Sequence, residues 1–388
     1  MIPLSYNFRS ILRRRFTAGA TAAGLGLVVF VFAAVLMLAE GVQKTLKSSG
    51  SPDNAILLRK GSTSELTSFL PREAAKVFAA EPSIAQGAGG KAVASPELFV
   101  IFQLSRKDNG GPANVGFRGL TPDGWALLRS QSVRIADGRL PQWGTSEVMV
   151  GRAIRGRYAG ADLGQQIQIA RRGWTVVGIF DAGASSLESE VWTDAEQLMD
   201  AARRQGYSTM TARLRAPSDL GQLQAVTDVD KRYDLEAKRE DLFYEEASGA
   251  LSRFINALGL VVAVFFSFGA TLGAMITMYA QVASRVREVG TLRALGFRRT
   301  AVLFSFLIES ILLALIGAVI GAICASLLSN VSFSTMNFAT FTEVKFRFHF
   351  SAGIGISAAI FALVMGLIGG LLPALRAARL PIAEATKG

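Results

Sequence analysis

Four runs of this chain contain no charged residue, and each is long enough to cross a bilayer: Phe16–Ala39, Phe254–Ser284, Ser310–Thr342 and Phe350–Leu375. A spanning helix needs about 20 apolar residues, and helices of soluble cores seldom run this long without charge. The chain is therefore expected to be a membrane protein with four transmembrane α-helices. The third run is too long for one helix. Its span is expected to begin near Thr300 and to enclose Glu309, while Asn330–Thr342 is polar enough for an external loop. The first run exceeds the apolar core of a signal peptide and shows no small-residue cleavage pattern, so it reads as an uncleaved anchor.

Charge predicts the orientation. The N-terminal segment holds Arg9, Arg13, Arg14 and Arg15. The loop after the second run holds Arg285, Arg287, Arg293, Arg298 and Arg299, and the tail holds Arg376, Arg379 and Lys387. These 12 basic residues face only Glu288 and Glu384, a balance of +10 out of a net +11 for the 388-residue chain. The remainder is close to neutral. The basic character is thus a topology signal under the positive-inside rule and not a nucleic-acid footprint. Both termini and the middle loop are expected in the cytosol, with the large intervening segment outside the inner membrane.

The expected order is a cytoplasmic interfacial helix at 1–15, span one at 16–41, a periplasmic domain at 42–253 and span two at 254–283. A cytoplasmic helix and loop at 284–299 follow, then span three at 300–329, an outer loop at 330–349, span four at 350–373 and a tail at 374–388. The outer segment is large enough for its own core or for two small lobes. Short apolar or alternating runs predict strands at 55–59, 96–104, 115–120, 147–150, 167–169, 174–180 and 208–214, with another beginning at Val191. Helices are expected at 71–80, 152–158, 193–205 and 216–228. The predicted fold class is a large α+β extracytoplasmic domain inserted between spans one and two. A helical stalk over 240–253 is expected to run into the second span.

Little catalytic chemistry is available. The sole histidine, His349, cannot build a metal cluster or a Ser-His-Asp triad. Among alternating aromatics before the fourth span, it reads as an interfacial anchor. The sole cysteine, Cys324, lies in the third span, so no internal disulfide can form. No GxxxxGK[ST] loop is present, so ATP hydrolysis by that route is excluded. Glu309 is a costly intramembrane carboxylate. It reads either as a functional group, as a structural partner for an interfacial arginine such as Arg298 or Arg299, or as a carboxyl near water. Glu40 is expected to be solvated. Gly317 and Gly321 form a small-xxx-small pair, and Gly366 precedes Gly369 and Gly370. Such residues allow close helix packing, within one chain or between two copies.

The segment Arg285–Phe297 is a short polar element between two spans. It carries Arg285, Arg287 and Arg293 against Glu288 and ends on Gly296, a helix-stopping residue. An amphipathic element at the inner face of a membrane is suited to being pushed from the cytosol. Glu288 and Arg293 lie on different sides of one helix and are expected to grip two walls of a groove. The segment reads as a coupling element of a permease worked by a separate motor.

These residues carry a resemblance. The pattern R-x-x-E-[IV]-[GA]-x-L-[RK]-A-[LI]-G is met by Arg285, Glu288, Val289, Gly290, Leu292, Arg293, Ala294, Leu295 and Gly296. With the ending Pro373–Leu380, it resembles the FtsX-like permeases of the MacB type, subunits of four-span ABC transporters. Asp137–Arg139, Glu147–Gly151 and Val176–Phe180 resemble the periplasmic core domain of that family. The resemblance covers essentially the whole chain.

It implies a non-enzymatic permease that holds no cofactor. ATP and Mg would be bound by two copies of a partner ABC ATPase, and the permease would pair with a second permease copy. Export of a substrate from the outer side of the inner membrane is the reading that a large folded outer domain favours. Its partners would be a periplasmic adaptor and an outer-membrane channel. Lipoprotein release, or non-transporting regulation of a cell-wall hydrolase, remain open alternatives at this point.

Overall fold

The structure is a computed structural model and describes residues 14–183, 185–336 and 340–380. The expectations for 1–13 and for the tail beyond Leu380, including Arg9, Arg13, Glu384 and Lys387, lie outside the described residues. The chain forms two compact units. One takes in the residues up to Glu40, Arg253–Val331 and those from Phe348, and the other Gly41–Ser252 with Ser332–Arg347.

The first unit is helical. Among the described residues four helices are long and apolar enough to cross a membrane: Arg15–Lys47, Ser252–Ser284, Arg299–Asn330 and Ala352–Arg379. The first belongs to α1 (Arg15–Lys47). Glycines set how closely the spans approach. A Cβ on Gly317 would meet the Ala22 carbonyl oxygen at 2.7 Å, and one on Gly321 the Gly26 carbonyl oxygen at 2.5 Å. A Cβ on Gly366 would meet the Ala314 Cβ at 2.6 Å. These three glycines therefore serve close packing within one chain. The Ser310 hydroxyl donates to the Gly366 carbonyl at 2.7 Å, tying the last two spans.

The second unit is α+β. Its elements run β1 (Asn54–Arg59), α2 (Arg72–Ala79), β2 (Ala94–Ser105), β3 (Pro112–Leu120), α3 (Pro122–Leu127), β4 (Arg134–Gly138) and β5 (Glu147–Gly151). Then come β6 (Gln166–Ile169), β7 (Arg172–Asp181), β8 (Glu190–Asp194), α4 (Ala195–Ala202), β9 (Thr209–Arg213), α5 (Leu220–Val229) and β10 (Leu235–Arg239). One ten-stranded mixed sheet has the order β10-β1-β9-β2-β3-β8-β5-β7-β4, with β6 on β7. β2 joins its two halves, since Ala94–Glu97 pair with β9 and Leu98–Ser105 with β3. Two cores result. Leu57, Phe78, Met210 and Leu223 belong to one, and Phe117, Val150, Trp174 and Val191 to the other.

α6 (Glu240–Ser284) is a single 45-residue helix that continues into the second span. It is followed by α7 (Val286–Ala294) and α8 (Arg299–Leu327). The segment expected as a loop at 330–349 carries a hairpin, β11 (Ser332–Met336) with β12 (Glu343–Arg347), before α9 (Ala352–Arg379). The helix expected at 152–158 is a series of turns. Gly156 sits at φ +76°, which ends any helix there, and its N–H donates to Asp162 at 3.0 Å. β4 and β10 are the two end strands of the sheet order; β4 is largely exposed, and β10 alternates but carries only Leu235 and Ala237 as apolar residues.

Candidate coupling site

α6 ends at Ser284, and Arg285 leaves helical geometry at φ −116°, ψ 17° before α7 starts. The break turns the Arg285 side chain inward. Its Nη1 donates to Glu309 Oε2 at 2.7 Å and its Nε to Glu288 Oε2 at 3.1 Å. Its guanidinium carbon lies 5.4 Å from the Phe306 ring centre. The Arg285 and Glu309 side chains are only 6% and 3% exposed. Glu309, read from the sequence either as a functional group or as a structural partner for an interfacial arginine such as Arg298 or Arg299, pairs with Arg285. Arg299 stands ten residues before Glu309, about 15 Å along one helix at 1.5 Å per residue. The partner comes from outside α8 instead. A buried pair of this kind is costly to break on one side only.

Gly296 closes α7 at φ +93°, a conformation natural to glycine. The Phe297 N–H donates to the Leu292 carbonyl and the Gly296 N–H to the Arg293 carbonyl, both at 3.1 Å. This double closure is the Schellman pattern, and it satisfies two end carbonyls.

The helix has two unlike faces. Val289 and Gly290 are buried, and Val289 packs with Met278, Val282, Val302, Phe306 and Ala374. Arg293 is half-buried and donates to the Leu380 carbonyl at 2.8 Å, while Leu292 is also half-buried. Arg287, Glu288, Thr291, Ala294 and Leu295 are exposed. Their spacing places them on one helical face. Leu295 is 72% exposed, an apolar side chain beside charged ones. Thus Glu288 points outward, whereas Arg293 anchors the helix and does not reach outward opposite it. Thr291 and Phe306 were not singled out by the sequence. Glu40, expected as solvated, accepts from the Ser351 hydroxyl at 2.8 Å and has His349 Nε2 at 4.0 Å.

The outer unit holds a second charged cluster, at the start of α6. Arg118 is buried and donates to Glu65, Glu97 and Glu190 at 2.7–2.9 Å. Arg129 is buried and donates to Glu97 at 2.7 and 3.0 Å and to Glu240 at 3.0 Å. Burial alone would raise the Glu97 carboxyl, but Arg129 and Arg118 outweigh it and hold the group down at about 2. Burial pushes Glu190 up despite Arg118. Glu240 also accepts from the Asn54 amide at 2.8 Å, so the first residue of α6 is held by both halves of the domain. The six charged residues are scattered from 65 to 240, and no local pattern in the sequence points to them.

The comparisons place this architecture. The MacB-like periplasmic core domain matches residues 18–228, more than half of the chain, and the FtsX-like permease C-terminal region matches residues 260–382. The chain belongs to the FtsX/MacB-like permeases of ABC transporters. The permease is a multi-pass membrane protein whose α+β domain lies between its first and second spans. It is similar to the macrolide export ATP-binding/permease protein MacB of Hahella chejuensis, 27% identical over 254 residues, 61% of this chain and 37% of that one. It is similar to the pyoverdine export ATP-binding/permease protein PvdT of Pseudomonas syringae pv. tomato, 26% identical over 400 residues, 93% of this chain and 56% of that one. The uncharacterized ABC transporter permease YvrN of Bacillus subtilis is 32% identical over 117 residues, 30% of this chain and 26% of that one. The permease thus spans between a quarter and just over half the length of these relatives. Among solved structures, the extracellular domain of the ABC-type transporter YknZ aligns with 48% of this chain and 99% of that one, at 10% identity and a TM-score of 0.35.

Proposed function

We propose that this chain is the membrane component of an ATP-driven exporter and that α7 is where an ABC ATPase drives it. The observation that carries the reading is the division of α7 into a locked inner face and an outward face of Arg287, Glu288, Thr291, Ala294 and Leu295. A lever must be fixed to what it moves and must present a surface to what moves it. The Arg285–Glu309 pair and the Arg293–Leu380 bond do the first. An exposed leucine among charged neighbours suits the second. The arginine count supports α7 on the cytosolic side of the inner membrane and the large domain in the periplasm.

In this reading ATP and Mg bind to the ATPase and not to the permease. Two ATPases engage two permease copies, since each chain offers one coupling helix. α6 is one helix from Glu240 to Ser284, so a push on α7 is delivered to the element that begins inside the outer domain. The relatives named for macrolide and pyoverdine export favour outward extrusion of a substrate, with a periplasmic adaptor and an outer-membrane channel completing the path. Glu288→Lys reverses the charge on the outward face and leaves Arg285 its Glu309 bond. In the reconstituted complex it is expected to lower stimulated ATPase activity by about tenfold or more, the loss of about 1.4 kcal/mol of contact. Unchanged stimulation overturns the assignment.

A further inference from the structure

One end of the α1/α6 pair carries polar groups that the proposed coupling through α7 leaves unexplained. A cavity of 650 Å³ is lined by Arg14, Arg15, Thr17, Thr277, Gln281 and Ser284, among others. Gln281 is 5% exposed, and among the described residues its side-chain oxygen has no hydrogen-bond partner. Among the described residues no carboxylate pairs with Arg14 or Arg15; the Arg15 guanidinium carbon lies 5.3 Å from the Phe16 ring centre. The hydroxyl protons of Thr277 and Ser284 go to the Ala274 and Gln281 carbonyls at 2.8 and 2.9 Å. Thr277 Oγ1 also accepts from the Thr21 hydroxyl at 3.1 Å, which leaves its second lone pair and the Ser284 oxygen to accept. The cavity therefore offers two fixed positive charges at its mouth and acceptors on its walls.

An apolar groove of 540 Å³ adjoins it, sharing Thr277 and running between the same two helices to Val28 and Phe265. From Phe265 to Thr277 the helix rises by about 18 Å. Gly269 and Gly273 line this groove with open space where a Cβ would stand, unlike the packed Gly317, Gly321 and Gly366.

We propose that this continuous polar and apolar groove binds one anionic phospholipid with a hydroxyl-bearing head group, of the phosphatidylglycerol type. The phosphodiester faces Arg14 and Arg15, and the head-group hydroxyls donate to Gln281 and the Thr277 and Ser284 oxygens. An acyl chain lies on the glycine-lined groove. Basic residues at a helix end attract anionic lipid. An ammonium head group would add a third positive charge beside the two arginines, so a zwitterionic lipid fits worse.

The test is native mass spectrometry of the full chain in detergent, equilibrated with phosphatidylglycerol, phosphatidylethanolamine or inorganic phosphate. Phosphatidylglycerol is expected to be retained in preference. Arg14→Ala with Arg15→Ala should weaken it about 25-fold, about fivefold per charge. Gly273→Leu should remove the adduct without lowering the melting temperature, because its side chain enters open space. Gln281→Leu should reduce the preference over phosphatidylethanolamine. Adducts unchanged in the arginine and Gly273 variants overturn the proposal. So does inorganic phosphate that displaces the lipid at equal charge, which makes the site one for free phosphate. Loss of a dimer mass in Gly273→Leu in place of a lipid adduct also overturns it, by assigning the groove to a second copy.

Discussion

Arg285 and Glu309 are joined at 2.7 Å in a buried ion pair that fastens the start of α7 to α8. Taking one partner away strands the other charge in a low-dielectric setting. Arg285→Met is therefore expected to cost about 3–5 kcal/mol and to lower folded yield in detergent sharply. Arg285→Met combined with Glu309→Met removes both charges and should recover most of that loss. Thermal melts of the two variants and the wild type measure it. If the double variant is as unstable as the single one, the pair is not what holds α7.

The outer-domain cluster gives a pH dependence. Glu97 is held at about 2, below its unfolded value of about 4.3. A group depressed in this way contributes stability above its unfolded value and loses it as pH falls through the folded one. The contribution is present at neutral pH and fades between about pH 4 and pH 2. Glu190, pushed up by burial, takes its proton first. Glu97→Gln leaves Arg118 and Arg129 short of charge and should cost about 3–5 kcal/mol at pH 7, with a flatter acid limb. Hydrogen exchange in the β2 segment reads both effects. Equal protection in wild type and variant at pH 7 counts against a structural role for the cluster.

The packed glycines should separate from the open ones. Gly321→Ile drives a side chain into the Gly26 carbonyl, already 2.5 Å from a Cβ, and is expected to disrupt packing of α1 on α8. Overpacking costs about 1–3 kcal/mol or more. Gly269→Ala meets nothing within 4 Å and should melt like the wild type. The paired melting curves decide. Equal loss in both variants would mean that α6 is as closely packed as α8.

The spans are legible because charge is costly in hydrocarbon and long uncharged runs mark them, Glu309 being the exception in the third. The end of α7 was legible because Gly296 has the φ +93° that its position demands. The partner of Glu309 was not. Sequence neighbours suggested Arg298 or Arg299, yet helical rise separates them, and only the break at Arg285 brings the right arginine inward. Likewise β4 and β10 escaped notice as polar end strands, and the hairpin at 332–347 was hidden in a segment read as loop. Arg118 and Arg129 look like ordinary surface residues until the sheet collects Glu65, Glu97, Glu190 and Glu240 around them.

The proposed orientation has its own test. A cysteine at Gly183, in a Cys324→Ala background, should react with an impermeant maleimide in intact spheroplasts, because that turn lies in the outer domain. A cysteine at Thr300 should not react until the membrane is opened. Labelling in the reverse sense would turn the protein over and remove α7 from the cytosol.

The central claim is that the outward face of α7 meets the ATPase while the inward face does not. Single cysteines at Thr291 and Leu295, and at buried Val289 as the control, can be placed in a Cys324→Ala background and cross-linked to the ATPase in the assembled complex. Thr291→Cys and Leu295→Cys are predicted to form permease–ATPase products that change in yield with ATP, and Val289→Cys none. Cross-linking at Val289 equal to that at Leu295, or none at either outward position, would contradict the account.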